Sequence, residues 1–409
     1  MLLLIAPSVT TRRKLGWIAL LYFAEGLPFG LVLDNLPVYF RMHGVSLTAI
    51  GLMSLIRSPW WAKVLWSPAV DQIGQRRLWI AACLVVMAAA LMMLPLLPAA
   101  PVGMALIVLL LVFTTAAATQ DVAIDAYTIE LLEPGEEGIA NGVRVSAYRV
   151  ALIVAGGALL AIVKWTSWTV AFTAAAVVLL ALAFAVLLLP RVELRAQTPR
   201  EWARTFRAWL QRPGVVPVFL FVFLYKLGDT TIGPMVKPFW VDRGFQPEEI
   251  AAISTTLGVA MSIAGALAGG ALTSRWGIFT ALWTLGLAQA AANLGYAAAA
   301  WIDVGRPAIY AASMIESFGM GLGTAAFLSF LMNICDKEQA ATQFALLSAL
   351  FNLSGTLGGA VSGKGVELLG YARYFGLTFL LALPAFALLP WVRPWIRERT
   401  PEGMKKEAT

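Results

Sequence analysis

The sequence predicts an all-α membrane protein with twelve transmembrane helices, built as two similar bundles of six. Three observations predict this: the composition, a regular succession of long apolar segments, and a weak internal duplication. Of 409 residues, 60% are hydrophobic and 13% charged, and the mean hydropathy is +0.78. A soluble domain carries about 25% charged residues. The apolar runs are continuous rather than alternating, which selects helices over a β-barrel.

A helix needs about 20 apolar residues to cross the hydrocarbon. Twelve segments satisfy this, at 15–40, 47–70, 78–98, 102–132, 138–164, 167–190, 214–241, 247–274, 277–302, 306–335, 338–368 and 371–396. Basic residues at the segment ends set the orientation. Eighteen fall on one side, among them Arg12, Arg13, Lys14, Arg76, Arg77, Arg204, Arg207, Arg275 and Arg393, against six on the other: Arg41, Lys164, Arg243, Arg306, Lys364 and Arg373. The positive-inside rule then places both termini in the cytoplasm. This placement also explains the net charge of +7 as a membrane-topology signal rather than a nucleic-acid footprint. Met1–Ala6 is too short for a signal-peptide core and precedes the basic cluster, so it reads as an uncleaved tail. Cys83 and Cys335 lie far apart in apolar segments, and His43, the only histidine, falls in an external loop. Neither a disulfide, a metal site nor a cofactor is expected, and no nucleophile–base pair marks an enzyme. The expected unit is a monomer in the bilayer.

The longest polar interruption, 191–213, separates six segments from six. Within it Trp202, Phe206, Trp209 and Leu210 share a helical face, the pattern of an amphipathic helix lying on the membrane surface. The expected domains are therefore 1–190, a linker at 191–213, and 214–409. The flanking halves resemble each other. PVYFRMHGVSLTAIGLMSLI (37–56) reads against PFWVDRGFQPEEIAAISTTL (238–257) with one gap, pairing Pro37 with Pro238 and Gly44 with Gly244. NGVRVSAYRVALIVAGG (141–157) reads against QFALLSALFNLSGTLGG (343–359) at an offset of 202, pairing Gly156-Gly157 with Gly358-Gly359. Two matches in order make a duplication, and parallel six-helix repeats are the arrangement of the major facilitator fold.

Charges inside the membrane carry the functional signal, since each costs at least about 2.5–3.5 kcal/mol to insert. Asp121 and Asp125 precede the turn around Pro134-Gly135, and Arg144 and Arg149 follow it. With a rise of 1.5 Å per residue, Asp125 and Arg144 each lie roughly 12–15 Å from that turn, and Asp121 and Arg149 roughly 20–22 Å. Antiparallel packing thus predicts the pairs Asp125–Arg144 and Asp121–Arg149, acting as a gate or proton site. Lys226 and Asp229 are spaced i,i+3 and can pair. Glu25 and Glu316 also lie at depth, and Arg57 and Lys63 lie in the second segment. Five buried carboxylates thus face five bases, so charge counting alone gives no argument for a proton. Glu25-Gly26-Leu27-Pro28 and Lys226-Leu227-Gly228-Asp229, with Gly233-Pro234 following, combine charge with helix-interrupting residues at matching places in the two halves. Interrupted helices of this kind point to a transport cavity. Tyr22, Tyr127, Tyr148, Trp60, Trp61, Tyr225 and Asn352 are candidates to stack on or hydrogen-bond a polar ligand. The glycines of Gly319-Met-Gly321-Leu-Gly323 follow no strand and read as close helix packing.

The turn Asp71-Gln-Ile-Gly74-Gln-Arg76-Arg77 has the form D-x-x-G-x-R-R and resembles the cytoplasmic gating signature of major facilitators. Beyond it, YFAEGLPFG (22–30), GVSLTAIGLMSL (44–55), AKVLWSPAVD (62–71), TQDVAIDAYTIELL (119–132) and YKLGDTTIGPMVKPFWVDRGF (225–245) resemble the AmpG-type permeases, a group that includes muropeptide permeases and the RhtX/FptX siderophore importers. The resemblance implies a bacterial inner-membrane importer driven by protons. Its small-molecule substrate would be an anhydro-muropeptide or, in the other branch, a siderophore. Asp125, Lys226 and Asp229 match positions within the group's strings. The chain ends soon after the twelfth segment, whereas the best-known muropeptide permeases are longer, and this length suits both branches. The alternative of a non-transporting membrane receptor does not account for two similar halves.

Overall fold

The computed structural model describes residues 9–72, 75–132, 137–190, 204, 207, 211–302, 305–335 and 340–396. The amphipathic linker, the 133–136 turn and Gly74 fall wholly or largely outside these residues. Among the described residues there is no strand. Nine helical stretches among the described residues are long and apolar enough to cross a membrane, from Thr11–Met42 to Leu346–Trp395. The last of these holds two helices, because the continuous run Ala340–Val392 turns at Gly370 (φ 73°). Ile278–Ile302 is a further 25-residue helix.

By contacts the chain divides into two compact units. The first comprises residues 1–198 with 234–259, and the second 199–233 with 260–409. The segment Pro234–Val259 thus packs with the first unit, although it follows the linker in sequence.

In the first unit, α1 (Val9–Gly30) runs through Pro28 into a π-helical turn, Leu31–Asn35, and then α2 (Leu36–Met42). The segment expected as one helix at 47–70 is instead a chain of short pieces. These are α3 (Leu47–Leu52), a 3₁₀ turn at Met53–Arg57, α4 (Ser58–Ala62), a second 3₁₀ turn at Lys63–Leu65, and α5 (Ser67–Gln72). Pro59 and Pro68 account for much of this, since each lacks the N–H that would continue the ladder. α6 (Arg76–Met93), α7 (Met104–Leu131), α8 (Glu137–Leu152), α9 (Leu159–Trp165) and α10 (Trp168–Leu187) complete the run. The tightest packing joins α1 to α8 and α6 to both α7 and α10. Gly26 permits the first of these. A Cβ there would stand 2.7 Å from the Ala151 Cβ and 2.8 Å from the Tyr148 carbonyl.

The duplication is visible in local geometry. Gly44 and Gly244 both adopt left-handed φ, 76° and 75°, as a helix-terminating glycine does. The flanking bonds match too: Val45 N–H donates to Phe40 O at 3.0 Å, and Phe245 N–H donates to Trp240 O at 3.1 Å. Each turn then opens a new helix with a cap. Ser46 Oγ accepts from Ala49 N, and Gln246 N donates to Glu249 Oε2.

Of three π-helical turns of the first unit, Ile153–Ala158 packs against both Leu31–Asn35 and Ile250–Leu257. Lys237, 7% exposed, links the latter two. Its ammonium reaches Asp34 at 3.1 Å, Ser254 at 3.0 Å and Thr255 at 2.7 Å. A paired Arg41–Asp242 fork lies at the ends of the same helices, and Lys164 meets Glu248 at 3.1 Å.

In the second unit, α11 (Val215–Tyr225) breaks at Lys226 (φ −101°, ψ 4°) before α12 (Leu227–Asp242) begins. The seventh segment is therefore interrupted, at its lysine rather than at Gly233-Pro234. The aromatic core here stacks Tyr225 on Phe327 at 5.2 Å and sets Phe221 edge-on to Phe330.

Candidate functional site

The first unit gathers its intramembrane charges where α1, α4, α7 and α8 meet. Asp121 and Asp125 are one helical turn apart on α7 and so share a face. Arg144 of α8 approaches Asp125 at 2.9 Å, and the Tyr22 hydroxyl of α1 donates to the same oxygen at 2.7 Å. The Arg144 guanidinium lies over the Tyr22 ring, 4.5 Å from its centre, a cation–π contact. The Asp125–Arg144 pair is substantially open, at 37% and 43% exposure.

Asp121 does not pair with Arg149. Its partner is Lys63, from the second 3₁₀ turn. The reason is helix phase: Arg149 follows Arg144 by five residues, about 500° of rotation or roughly 140° off the Asp125-facing side. Matching distance from the turn set the depth correctly but not the azimuth. Arg149 lies instead beside Tyr148. Glu25 joins the cluster with its carboxyl against Asp121, and its Oε2 is buried without a hydrogen-bond partner among the described residues. Gln120, fully buried, has both amide atoms without partners among the same residues. A buried amide is costly unless a hydrogen-bonding guest completes it. Gln120 and the pairing of Lys63 with Asp121 are what sequence reasoning missed; a glutamine inside an apolar run was the signal for the first.

Tyr148 and Phe29 approach at 6.1 Å between ring centres, and Phe29 meets Trp60 edge-on at 5.4 Å. Tyr127 does not line this site. It is 1% exposed, and its hydroxyl donates to Pro190 O at 3.0 Å, fixing the end of the sixth segment.

Of the D-x-x-G-x-R-R turn, the Asp71 side chain and Gly74 lie outside the described residues. Arg76 is buried and reaches Val70 O and Glu130, the latter at 3.3 Å. Arg77 donates to Leu187 O at 3.1 Å and Leu189 O at 3.0 Å, closing the orphan carbonyls at the end of α10 as a basic side chain does at a helix C-terminus.

The second unit has its own buried cluster at the break between α11 and α12. Lys226 is 3% exposed. Its ammonium holds Asp229 at 3.0 Å, Gln289 Oε1 at 2.8 Å and Thr324 Oγ1 at 2.8 Å, with Glu316 close enough to act on its charge. Three acceptors satisfy the three donors of an ammonium. Gln289 comes from the Ile278–Ile302 helix (α15, after α13 at Pro247–Glu249 and α14 at Gly258–Trp276). Thr324 comes from α16 (Arg306–Ile334). A Cβ at Gly323 would overlap Gln289, so this glycine makes room for the bond. A Cβ at Gly319 would likewise stand 2.8 Å from the Ala292 Cβ. The glycine triplet therefore serves close packing, as the sequence indicates. Asn352 is half-buried in this unit, and its backbone carbonyl accepts from Thr356. Tyr225 is a core residue whose hydroxyl donates to Leu282 O at 3.1 Å. Cys83 and Cys335 are free and buried, and no group of metal-ligating residues occurs among the described residues.

The described residues combine membrane-length apolar helices with intramembrane ion pairs, a combination that marks transport paths. The comparisons specify which kind. The Major Facilitator Superfamily profile matches residues 18–359 and 218–408. The anhydromuropeptide permease of Escherichia coli K12 is 31% identical over 381 residues, covering 90% of this chain and 78% of that protein. A Haemophilus influenzae protein of uncharacterised function is 33% identical over 94% of this chain and 96% of its own length. The putative transporter AmpG 4 of Rickettsia conorii is 28% identical over 93% and 96%. Among solved structures, a bacterial homologue of the human lysosomal transporter Spinster, inward-facing and unoccupied, superposes with TM-score 0.80 at 14% identity, covering 97% of this chain and all of that one. The chain belongs to the Major Facilitator Superfamily and, within it, to the AmpG-type permeases.

Proposed function

We propose that the protein imports an anhydro-muropeptide across the bacterial inner membrane, driven by protons and working by alternating access. The observation that carries the substrate is the 31% identity to an anhydromuropeptide permease across 90% of this chain. In this reading twelve helices form two six-helix bundles, 1–190 and 214–409, joined by the 191–213 linker, with both termini cytoplasmic and the monomer as working unit. The proton site is the first-unit cluster. Asp121 and Asp125 exchange protons when Lys63 and Arg144 leave them during the cycle, with Glu25 as a third carboxyl in reach. Tyr22 positions Asp125 and senses Arg144 through its ring. Arg149 and Tyr148 border the cluster. Lys226, Asp229 and Glu316 of the second unit, with Asn352, serve substrate binding and gating. Arg76 and Arg77, with Asp71 and Gly74, form the cytoplasmic turn that controls closure.

The test is uptake into proteoliposomes of radiolabelled N-acetylglucosaminyl-anhydro-N-acetylmuramyl peptide, with and without an inward proton gradient. Accumulation that collapses with a protonophore is expected. Transport of a ferric siderophore in place of the muropeptide would move the protein to the other branch. Gradient-independent equilibration would remove the proton.

A further inference from the structure

The intramembrane charges do not all find partners. Lys63 takes Asp121, Arg144 takes Asp125, and Lys226 takes Asp229. Glu25 leans on the two aspartates already engaged. Arg57 is left over. It closes the 3₁₀ turn Met53–Arg57 and is half-buried. The one described group that acts on its charge is the Tyr148 ring and hydroxyl. No carboxylate among the described residues does so. The fold crowds the carboxyls of Glu25, Asp121 and Asp125 around Lys63 and Arg144 and leaves Arg57 outside that set.

A second orphan lies one turn away. The Trp61 indole N–H is buried and has no acceptor among the described residues. Arg57 and Trp61 are spaced i,i+4 across a stretch that is mostly α-helical (Ser58–Ala62), which puts both on one side of it. Trp60 lies between them in sequence and meets Phe29 edge-on at 5.4 Å, and Phe29 in turn meets Tyr148 at 6.1 Å. Trp60, between the two donors in sequence, thus joins an aromatic group with Phe29 and Tyr148. A guanidinium has no acceptor capacity and cannot be deprotonated in a protein, so it cannot relieve its burial by neutralising itself. An indole N–H is likewise donor only. What completes both is an anion with two acceptor oxygens in a plane. The guanidinium fork matches a carboxylate in that way.

We propose that Arg57 and the Trp61 N–H form a subsite for a carboxylate of the transported molecule, with Phe29, Trp60 and Tyr148 against its apolar neighbourhood. This rests on the proposed function and deepens it. The peptide part of the substrate is held by its acid group at the broken second segment, apart from the Asp121/Asp125 cluster, where a second carboxylate is repelled. Placing the substrate's negative charge at Arg57 keeps it off the carboxyls that exchange protons.

The test is calorimetric binding to purified full-length protein in nanodiscs. The probes are an anhydro-muropeptide with free carboxylates, the same compound with its carboxylates amidated, and two further acid/amide pairs: an N-acetylated dipeptide and a citrate-type ferric siderophore. Wild type is expected to favour the free acid of its ligand by about a hundredfold, or roughly 2.7 kcal/mol. Arg57→Gln is expected to bind acid and amide alike, with the amide's affinity unchanged. Arg57→Lys keeps the charge without the fork and retains about a tenth of the preference. Trp61→Phe keeps the ring without the donor and reduces the preference severalfold. Because the amide's affinity reports an intact fold in each variant, a misfolded protein is distinguished from a lost subsite. If the siderophore or dipeptide acid binds in an Arg57-dependent way while the muropeptide does not, the subsite stands and the substrate reading falls. An Arg57→Gln protein that keeps the acid preference overturns the proposal. So does a wild-type protein with no acid preference in any pair.

Discussion

Replacing Lys226 by methionine tests the second-unit cluster most severely, because the structure states what is lost. The Lys226 and Asp229 side chains are 4% and 10% exposed, and the ammonium makes three hydrogen bonds, to Asp229, Gln289 and Thr324. Methionine fills a similar volume, so packing is nearly kept and the change isolates the charge. Lys226→Met leaves a carboxylate, an amide oxygen and a hydroxyl without their donor. Breaking one side of a buried pair costs about 3–5 kcal/mol, whereas replacing both partners by apolar groups is often close to neutral. Lys226→Met is thus expected to lower stability by about 3–5 kcal/mol, and Lys226→Met with Asp229→Leu to recover more than half of that. Thr324→Ala removes the bond accepted from Lys226 and the one donated to Met320 O, but no charge, and is expected to cost about 1–2 kcal/mol. Reversible unfolding in mixed detergent micelles reads all three. A single mutant within about 1 kcal/mol of wild type, or a double mutant no better than the single, would refute the view that Asp229 depends on Lys226 for its burial.

Three further outcomes follow from the geometry. Asp125→Asn is expected to abolish uptake while leaving membrane insertion and the monodisperse detergent profile intact, and exchanging Asp125 with Arg144 should restore more activity than either single change; full uptake by Asp125→Asn counts against its role. Lys63→Met is expected to impair uptake more than Arg149→Met, since Lys63 and not Arg149 holds Asp121; equal losses in a side-by-side uptake assay contradict that assignment. Gly26→Leu adds a side chain whose Cβ alone would stand 2.7 Å from the Ala151 Cβ and is expected to cost at least about 1–3 kcal/mol as overpacking between α1 and α8, measured as a drop in thermal midpoint. Gly16→Leu, at a position where nothing lies within 4 Å, should leave that midpoint unchanged.

The pairs that were legible in the sequence are those whose geometry is local. Lys226–Asp229 needs only i,i+3 spacing, and Asp125–Arg144 needs only a hairpin with a short turn and equal distances on its two arms. Lys63–Asp121 spans 58 residues, and no one-dimensional spacing marks it. The broken second segment was half legible. Pro59 and Pro68 are visible, but hydropathy alone reports a continuous span. Tyr127 is a candidate by its string, yet an aromatic there can serve packing as readily as binding. Its buried hydroxyl is spent on Pro190 O.

The amino-acid sequence alone determined that the chain is helical and membrane-embedded, that it is internally repeated, and which ionisable groups it carries into the hydrocarbon. These follow from composition, segment length and local spacing, where each residue acts through its own solvation and its near neighbours. The tertiary structure decided which charge meets which. Helix azimuth and the 3₁₀ breaks turn Arg149 away from Asp121 and bring Lys63 to it. Among the described residues they also leave Arg57 without an acid. Pairing energy in a low-dielectric interior depends on separations of a few ångströms, and only the packed arrangement of distant segments sets those.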